Sequence, residues 1–116
     1  MKFSNLFSLF KEEPLVEISL VHPGEAPVTI RLIELPAVIG RSPEADMSVS
    51  DRWVSKVHCR LDVCDGKLML HDLESRHGTL VNGDTIRDRQ LNEGDRIWIG
   101  MTELCLLSCA EQVETE

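Results

Sequence analysis

The chain has 116 residues, 20 Asp and Glu against 12 Lys and Arg, and a formal net charge of −8. That length suits one domain of ordinary size, and 42% hydrophobic with 28% charged residues reads as globular rather than disordered. No apolar run reaches the roughly 18 residues a membrane span needs. The acidic balance repels nucleic acid and anionic membrane surfaces, so neither is expected as a partner, although a small basic site stays open.

Residues 1–14 are expected to form an N-terminal tail. Phe3, Leu6, Phe7 and Phe10 fall at i, i+3, i+4, i+7, the spacing of a short amphipathic helix, and they include all three Phe of the chain. Ser4, Asn5 and Ser8 interrupt the stretch and Lys11, Glu12 and Glu13 follow it, which makes a poor signal peptide. Lys2 and Lys11 are too few cations for a membrane anchor. A frayed tail or surface turn of helix is the plain reading, and a partner-binding or self-association helix is the alternative.

From Leu15 onward short apolar runs alternate with turn signals. Val16, Ile18 and Leu20 alternate before His22-Pro23-Gly24; Val28, Ile30 and Leu32 alternate next; Pro36 to Ile39 runs into Gly40. Cys59, Leu61 and Val63 lead to Asp65-Gly66, Leu68 to Leu70 follows, and Leu80-Val81 leads to Asn82-Gly83 and Ile86. Leu91, Asn92-Glu93-Gly94-Asp95, Ile97 to Ile99 and Leu104 to Leu107 complete the series. Asp-Gly and Asn-Gly between such runs are hairpin signals, because a type I′ turn needs φ > 0 at both central residues. The pattern predicts an antiparallel all-β sandwich of about ten to eleven short strands over 15–108, with an acidic tail over 109–116. Trp98 should lie on the face opposite Ile97 and Ile99. Trp53 is either a core anchor for its loop or an exposed contact.

Cys59, Cys64, Cys105 and Cys109 form no C-x-x-C pair and follow no secretory signal, so reduced thiols in a cytoplasmic protein are expected. A zinc site from Cys59, Cys64 and a histidine fits no finger or ribbon spacing, and no metal or cofactor is expected. His22 and His71 suggest no role.

Three polar segments stand where strands stop: Gly40-Arg41-Ser42, Ser55-Lys56-Val57-His58 and Ser75-Arg76-His77-Gly78-Thr79. Guanidinium forks, an ammonium, short hydroxyl donors and a glycine that admits backbone N–H groups are what a phosphate dianion requires. With Asp72-Leu73 ahead of Ser75, Val81-Asn82-Gly83 after Thr79, and Leu91 to Gly100 beyond, the ordered motifs closely resemble the forkhead-associated (FHA) family.

The resemblance covers about Leu15 to Leu107. It implies a β-sandwich whose apical loops at one end bind phosphothreonine peptides, and hence a non-enzymatic adaptor in Ser/Thr kinase signalling. Carried over by position, Arg41 and Ser55 contact the phosphate, Lys56 and Arg76 reinforce it, and Ser75 and His77 belong to the peptide site. Gly40, His58, Gly78, Thr79, Asn82 and Gly83 support it, with Gly40 permitting the turn and His58 bracing the loops. His77 departs from the Asn most often found there; its neutral imidazole keeps one donor and one acceptor but adds a titratable group. The alternative is an FHA-fold interaction or self-association module acting independently of phosphate. An enzyme would need a nucleophile–base pair, and only Ser55 with His58 is spaced to be considered.

Overall fold

A computed structural model describes residues 14–110, so the Phe-rich helix expected before Pro14 and the acid of 111–116 lie outside the described residues. Among the described residues, eleven strands form two sheets. They are β1 (Val16–Val21), β2 (Val28–Leu32), β3 (Ala37–Gly40), β4 (Met47–Ser48), β5 (Cys59–Cys64), β6 (Lys67–Asp72), β7 (Thr79–Val81), β8 (Asp84–Ile86), β9 (Asp88–Gln90), β10 (Arg96–Ile99) and β11 (Thr102–Cys109). One sheet has the order β2-β1-β11-β10-β7-β8 and the other β4-β3-β5-β6-β9. The described pairings are antiparallel except β3 with β4, where Ile39 and Gly40 run parallel to Met47 and Ser48. At the end of the described residues Cys109 still pairs with Val16 and Ala110 N–H donates to Leu15 O at 2.8 Å, so β11 runs one residue into the expected tail.

Alternation along each strand sends one residue in two into the space between the sheets. Val16, Ile18 and Leu20 of β1 and Leu104 and Leu106 of β11 are buried from one side. Ile39, Cys59, Leu61, Leu68 and Leu70 are buried from the other, and burial of this apolar surface drives the sandwich together. Trp98 is exposed while Ile97 and Ile99 are buried, as the alternation predicts. Desolvation pushes the Cys59 thiol up to about 12, so this buried cysteine behaves as an apolar core residue.

Both hairpin signals form the turns expected. Asp65 and Gly66 have φ of 53° and 76°, and Asn82 and Gly83 have 52° and 89°, both central residues left-handed as type I′ requires. Strand direction then sorts the connections. The β5–β6 turn lies at one end of its sheet; the β3–β4, β4–β5 and β6–β7 connections, holding Arg41, Ser55 and Arg76, lie together at the other.

Candidate functional site

The loops at that end are built on close backbone approach. A Cβ at Gly40 would sit 2.1 Å from Lys56 O and 2.8 Å from Lys56 C, so only glycine lets the 55–56 backbone cross β3. Its φ is not left-handed; space rather than turn geometry demands the glycine, which corrects the role expected from sequence. The crossing is tied by Arg41 N–H to Ser55 O at 2.9 Å and Ser42 N–H to Lys56 O at 3.1 Å. Arg41 Nε–H donates to Val54 O at 3.0 Å. That bond fixes the guanidinium's stem and leaves its terminal amino groups, uncommitted among the described residues, at the groove.

His58 is the strut beneath. It is fully buried, its Nδ1 accepts from Ser55 N–H at 3.0 Å, and its Nε2–H donates to Gly78 O at 2.9 Å. A backbone N–H can only donate and a carbonyl only accept, so these partners dictate the neutral Nε2–H tautomer. Burial holds its pKa below the ordinary 6.5, against the raising pull of the Gly78 bond and of Asp72. One imidazole therefore joins the Ser55 loop to the Gly78 loop.

Asp72 organises the third segment. It accepts from Ser75 Oγ–H at 2.5 Å, Thr79 Oγ1–H at 2.7 Å and Ser75 N–H at 3.2 Å. Partial burial opposes its ionisation, but these hydrogen bonds outweigh it and hold the carboxyl below its ordinary range. Ser75 Oγ also accepts from Gly78 N–H at 3.0 Å. Its only hydroxyl proton is thus committed to Asp72, and Ser75 does not line the groove, so it braces the loop instead of offering a donor to an anion. Thr79 is buried on the same carboxylate. Asn82, by contrast, bonds Asp95 and Arg96 in the turn beyond β7 and, like Gly83, stands away from the groove.

Ser55 presents the opposite case to Ser75. Its Oγ accepts from Arg76 N–H at 2.9 Å, and among the described residues nothing takes its hydroxyl proton. Around it lies an open groove of about 610 Å³, lined by Arg41, Arg52, Lys56 and Arg76 together with Trp53, Val54, Val57 and His77. Among the described residues, four cations and no carboxylate line the groove, in a chain of net charge −8. Trp53 is 43% exposed; the Arg52 guanidinium carbon lies 4.8 Å from its ring centre, and the His77 ring meets it edge-on at 5.4 Å and 81°. Trp53 is therefore an exposed groove wall and not a core anchor.

Two supporting residues carry roles that sequence reading did not assign. Asp51 accepts from Trp53 N–H, Met101 N–H and Thr102 Oγ1–H, each at 2.8 Å, pinning the Trp53 loop to the β10–β11 turn. Burial works against its charge, yet these bonds prevail and keep its pKa lowered. Because Thr102 gives its proton to Asp51, its oxygen accepts from His22 Nδ1–H at 3.0 Å, so His22 ends this chain of bonds. No spacing rule reveals partners 50 residues apart; the Asx-type bond from Asp51 to Trp53 N–H was the only local signal.

The fold and its loops define a β-sandwich that concentrates cationic donors at one end. A sequence profile of the FHA domain matches residues 37–100, and the chain belongs to the FHA domain family. It is 35% identical over 69 residues to the oxoglutarate dehydrogenase inhibitor of Corynebacterium efficiens, covering 60% of this chain and 49% of that protein. It is 36% identical over 77 residues to the FHA domain-containing protein FhaA of Mycobacterium tuberculosis, covering 66% of this chain and 14% of that one. The chain thus spans half or less of the length of these curated relatives. A solved structure from work on phosphothreonine-dependent FHA domain interactions superposes with a TM-score of 0.70 at 29% identity, covering 81% of this chain and 98% of that one.

Proposed function

We propose that this chain is a phosphothreonine-peptide-binding adaptor in Ser/Thr kinase signalling, with Arg41 and Ser55 holding the phosphate and Lys56 and Arg76 reinforcing it. The observation that carries this reading is the groove itself: four cations, a hydroxyl with its proton to give and, among the described residues, no carboxylate, on an otherwise acidic protein. The FHA structure studied for phosphothreonine-dependent interactions supports the same ligand. Each charge-assisted hydrogen bond contributes roughly 1.5–3 kcal/mol net, so three supply about 4–9 kcal/mol before ordering costs, enough for phosphate-dependent binding. One threonine methyl adds about 0.8 kcal/mol, roughly four-fold, over serine.

A non-catalytic role is part of the reading. Ser55 and His58 are not a nucleophile–base pair: the His58 Nδ1 lone pair is occupied by the Ser55 backbone N–H, and its Nε2–H by Gly78 O. Four free thiols suit a reducing compartment such as the cytoplasm. The test is a library of paired phosphothreonine and threonine peptides screened against wild type and Arg41→Ala. Phosphate-dependent binders, weakened roughly a hundred-fold or more by Arg41→Ala, are expected. Binding that persists without phosphate and after Arg41→Ala would replace this reading with a phosphate-independent interaction module.

A further inference from the structure

Away from the groove, the outer face of the β5–β6 hairpin carries a second cluster. Asp62 and Cys64 are two apart on β5 and His71 lies on β6, so strand alternation places all three on the face opposite buried Leu61, Leu68 and Leu70. A carboxylate oxygen of Asp62, the Cys64 Sγ and a ring nitrogen of His71 lie within 4.8 Å of one another. His71 Nδ1 is 2.6 Å from Asp88 Oδ1, and its Nε2 is enclosed without a hydrogen-bond partner among the described residues. A carboxylate that holds one imidazole nitrogen as N–H leaves a lone pair on the other, the arrangement that orients a metal-binding histidine. Burying that lone pair without a partner otherwise carries a desolvation cost.

We propose that Asp62, Cys64 and His71 form a binding site for a zinc-class divalent cation, with Asp88 as the positioning residue behind His71. One sulfur, one nitrogen and one oxygen donor suit Zn²⁺ over Mg²⁺ or Ca²⁺, and a solvent water completes four-coordination. Ligand atoms about 3.5 Å apart satisfy tetrahedral zinc, so exposed Cys64 and partly exposed Asp62 close on His71 by side-chain rotation. On binding, the Cys64 thiol releases its proton to solvent and coordinates as thiolate. Arg60 Nε, 3.9 Å from Asp62 Oδ2, and Lys67, opposite Cys64 in register, are the cations that oppose an incoming metal. The cluster does not include Cys59, whose thiol faces the core; the cysteine–cysteine–histidine combination considered from spacing is split across the two faces of the sheet.

The full chain is titrated with Zn²⁺ against a chromophoric chelator, and with Co²⁺ to detect the near-ultraviolet thiolate-to-cobalt charge-transfer band. One ion per chain with that band is expected. Cys64→Ser removes the band, His71→Ala weakens binding at least ten-fold, and Asp88→Asn weakens it about ten-fold. Arg60→Ala tightens it, and Cys105→Ser leaves it unchanged. Thermal melting without metal confirms that each variant is folded. Absence of stoichiometric binding, a cobalt spectrum without the thiolate band, or binding indifferent to both Cys64→Ser and His71→Ala would overturn the proposal. The outcome is independent of phosphopeptide binding, which Cys64→Ser should leave intact.

Discussion

At one end of the five-stranded sheet the chain reverses through Asp65-Gly66, two residues whose positive φ values their own chemistry supplies. At the other end residues 49–58 cross between strands with no regular pairing. Beside short-range bonds such as Trp53 N–H to Asp51 and Ser55 N–H to His58, the loop is held by partners remote in sequence. Asp51 reaches Met101 and Thr102, Ser55 reaches Arg76, and His58 reaches Gly78. The turn is made from local preference; the groove is suspended from buried polar struts. The groove loops thus gain rigidity from below: Arg41 and Ser55 face the groove, while neutral His58 and two ionised carboxylates hold them from beneath.

Breaking the suspended end should cost far more than breaking the locally made one. Gly40→Ala drives a Cβ to 2.1 Å from Lys56 O and should destabilise by about 3 kcal/mol or more in urea unfolding. Gly83→Ala, in the likewise locally made β7–β8 turn of the other sheet, at φ 89° but with open space around its Cβ, should cost only about 1 kcal/mol. Comparable losses would mean that the crossing at Gly40 relaxes freely.

Next in size is the His58 strut. His58→Gln should lower stability by about 2 kcal/mol and weaken phosphopeptide binding, although the side chain touches no ligand. The pH dependence has a definite sign. His58 has a folded pKa depressed below 6.5, so the unfolded chain binds its proton first. Its contribution to stability is complete above 6.5 and declines as pH falls through the folded value. Asp51 and Asp72 have lowered pKa values from the ordinary 3.8, so their contribution stays until more acidic pH and is lost below that value. Chemical unfolding across pH should show both windows in wild type and only the acidic one in His58→Gln. An unchanged decline below 6.5 in the variant would assign it to another group.

How far the sequence could be read follows the same division. Period-2 alternation located the strands, and Asp65-Gly66 and Asn82-Gly83 announced their turns because φ > 0 is a local demand. Arg41, Ser55, Lys56 and Arg76 were legible as a cationic donor set, and they do line one groove. Ser75 was not: hydroxyls look alike in sequence, and only the 2.5 Å bond to Asp72 separates a brace from a donor. Asp51 and His22 were invisible in role because their partners, Met101 and Thr102, are remote in sequence, whereas Asp72 stood in the motif and bonds Ser75 only three residues on. Asp62, Cys64 and His71 escaped for a related reason, since the hairpin's shared face, not linear spacing, brings them together.

The smallest expected effect lies at His77, edge-on to Trp53. His77→Asn should change phosphopeptide affinity only a few-fold, because an amide keeps a donor and an acceptor at that place in the groove lining. A loss of roughly a hundred-fold or more in a binding titration would instead make His77 a principal ligand contact.

On the proposed reading, one suspended, cationic groove takes the phosphate. The most direct test is a titration of the isotopically labelled chain with a phosphothreonine peptide, followed by amide chemical shifts in wild type and Arg41→Ala. Perturbations centred on Arg41, Ser55, Lys56, Arg76 and His77, and lost in the variant, are the predicted result. Perturbations confined to the sheet faces, or undiminished by Arg41→Ala, would contradict it.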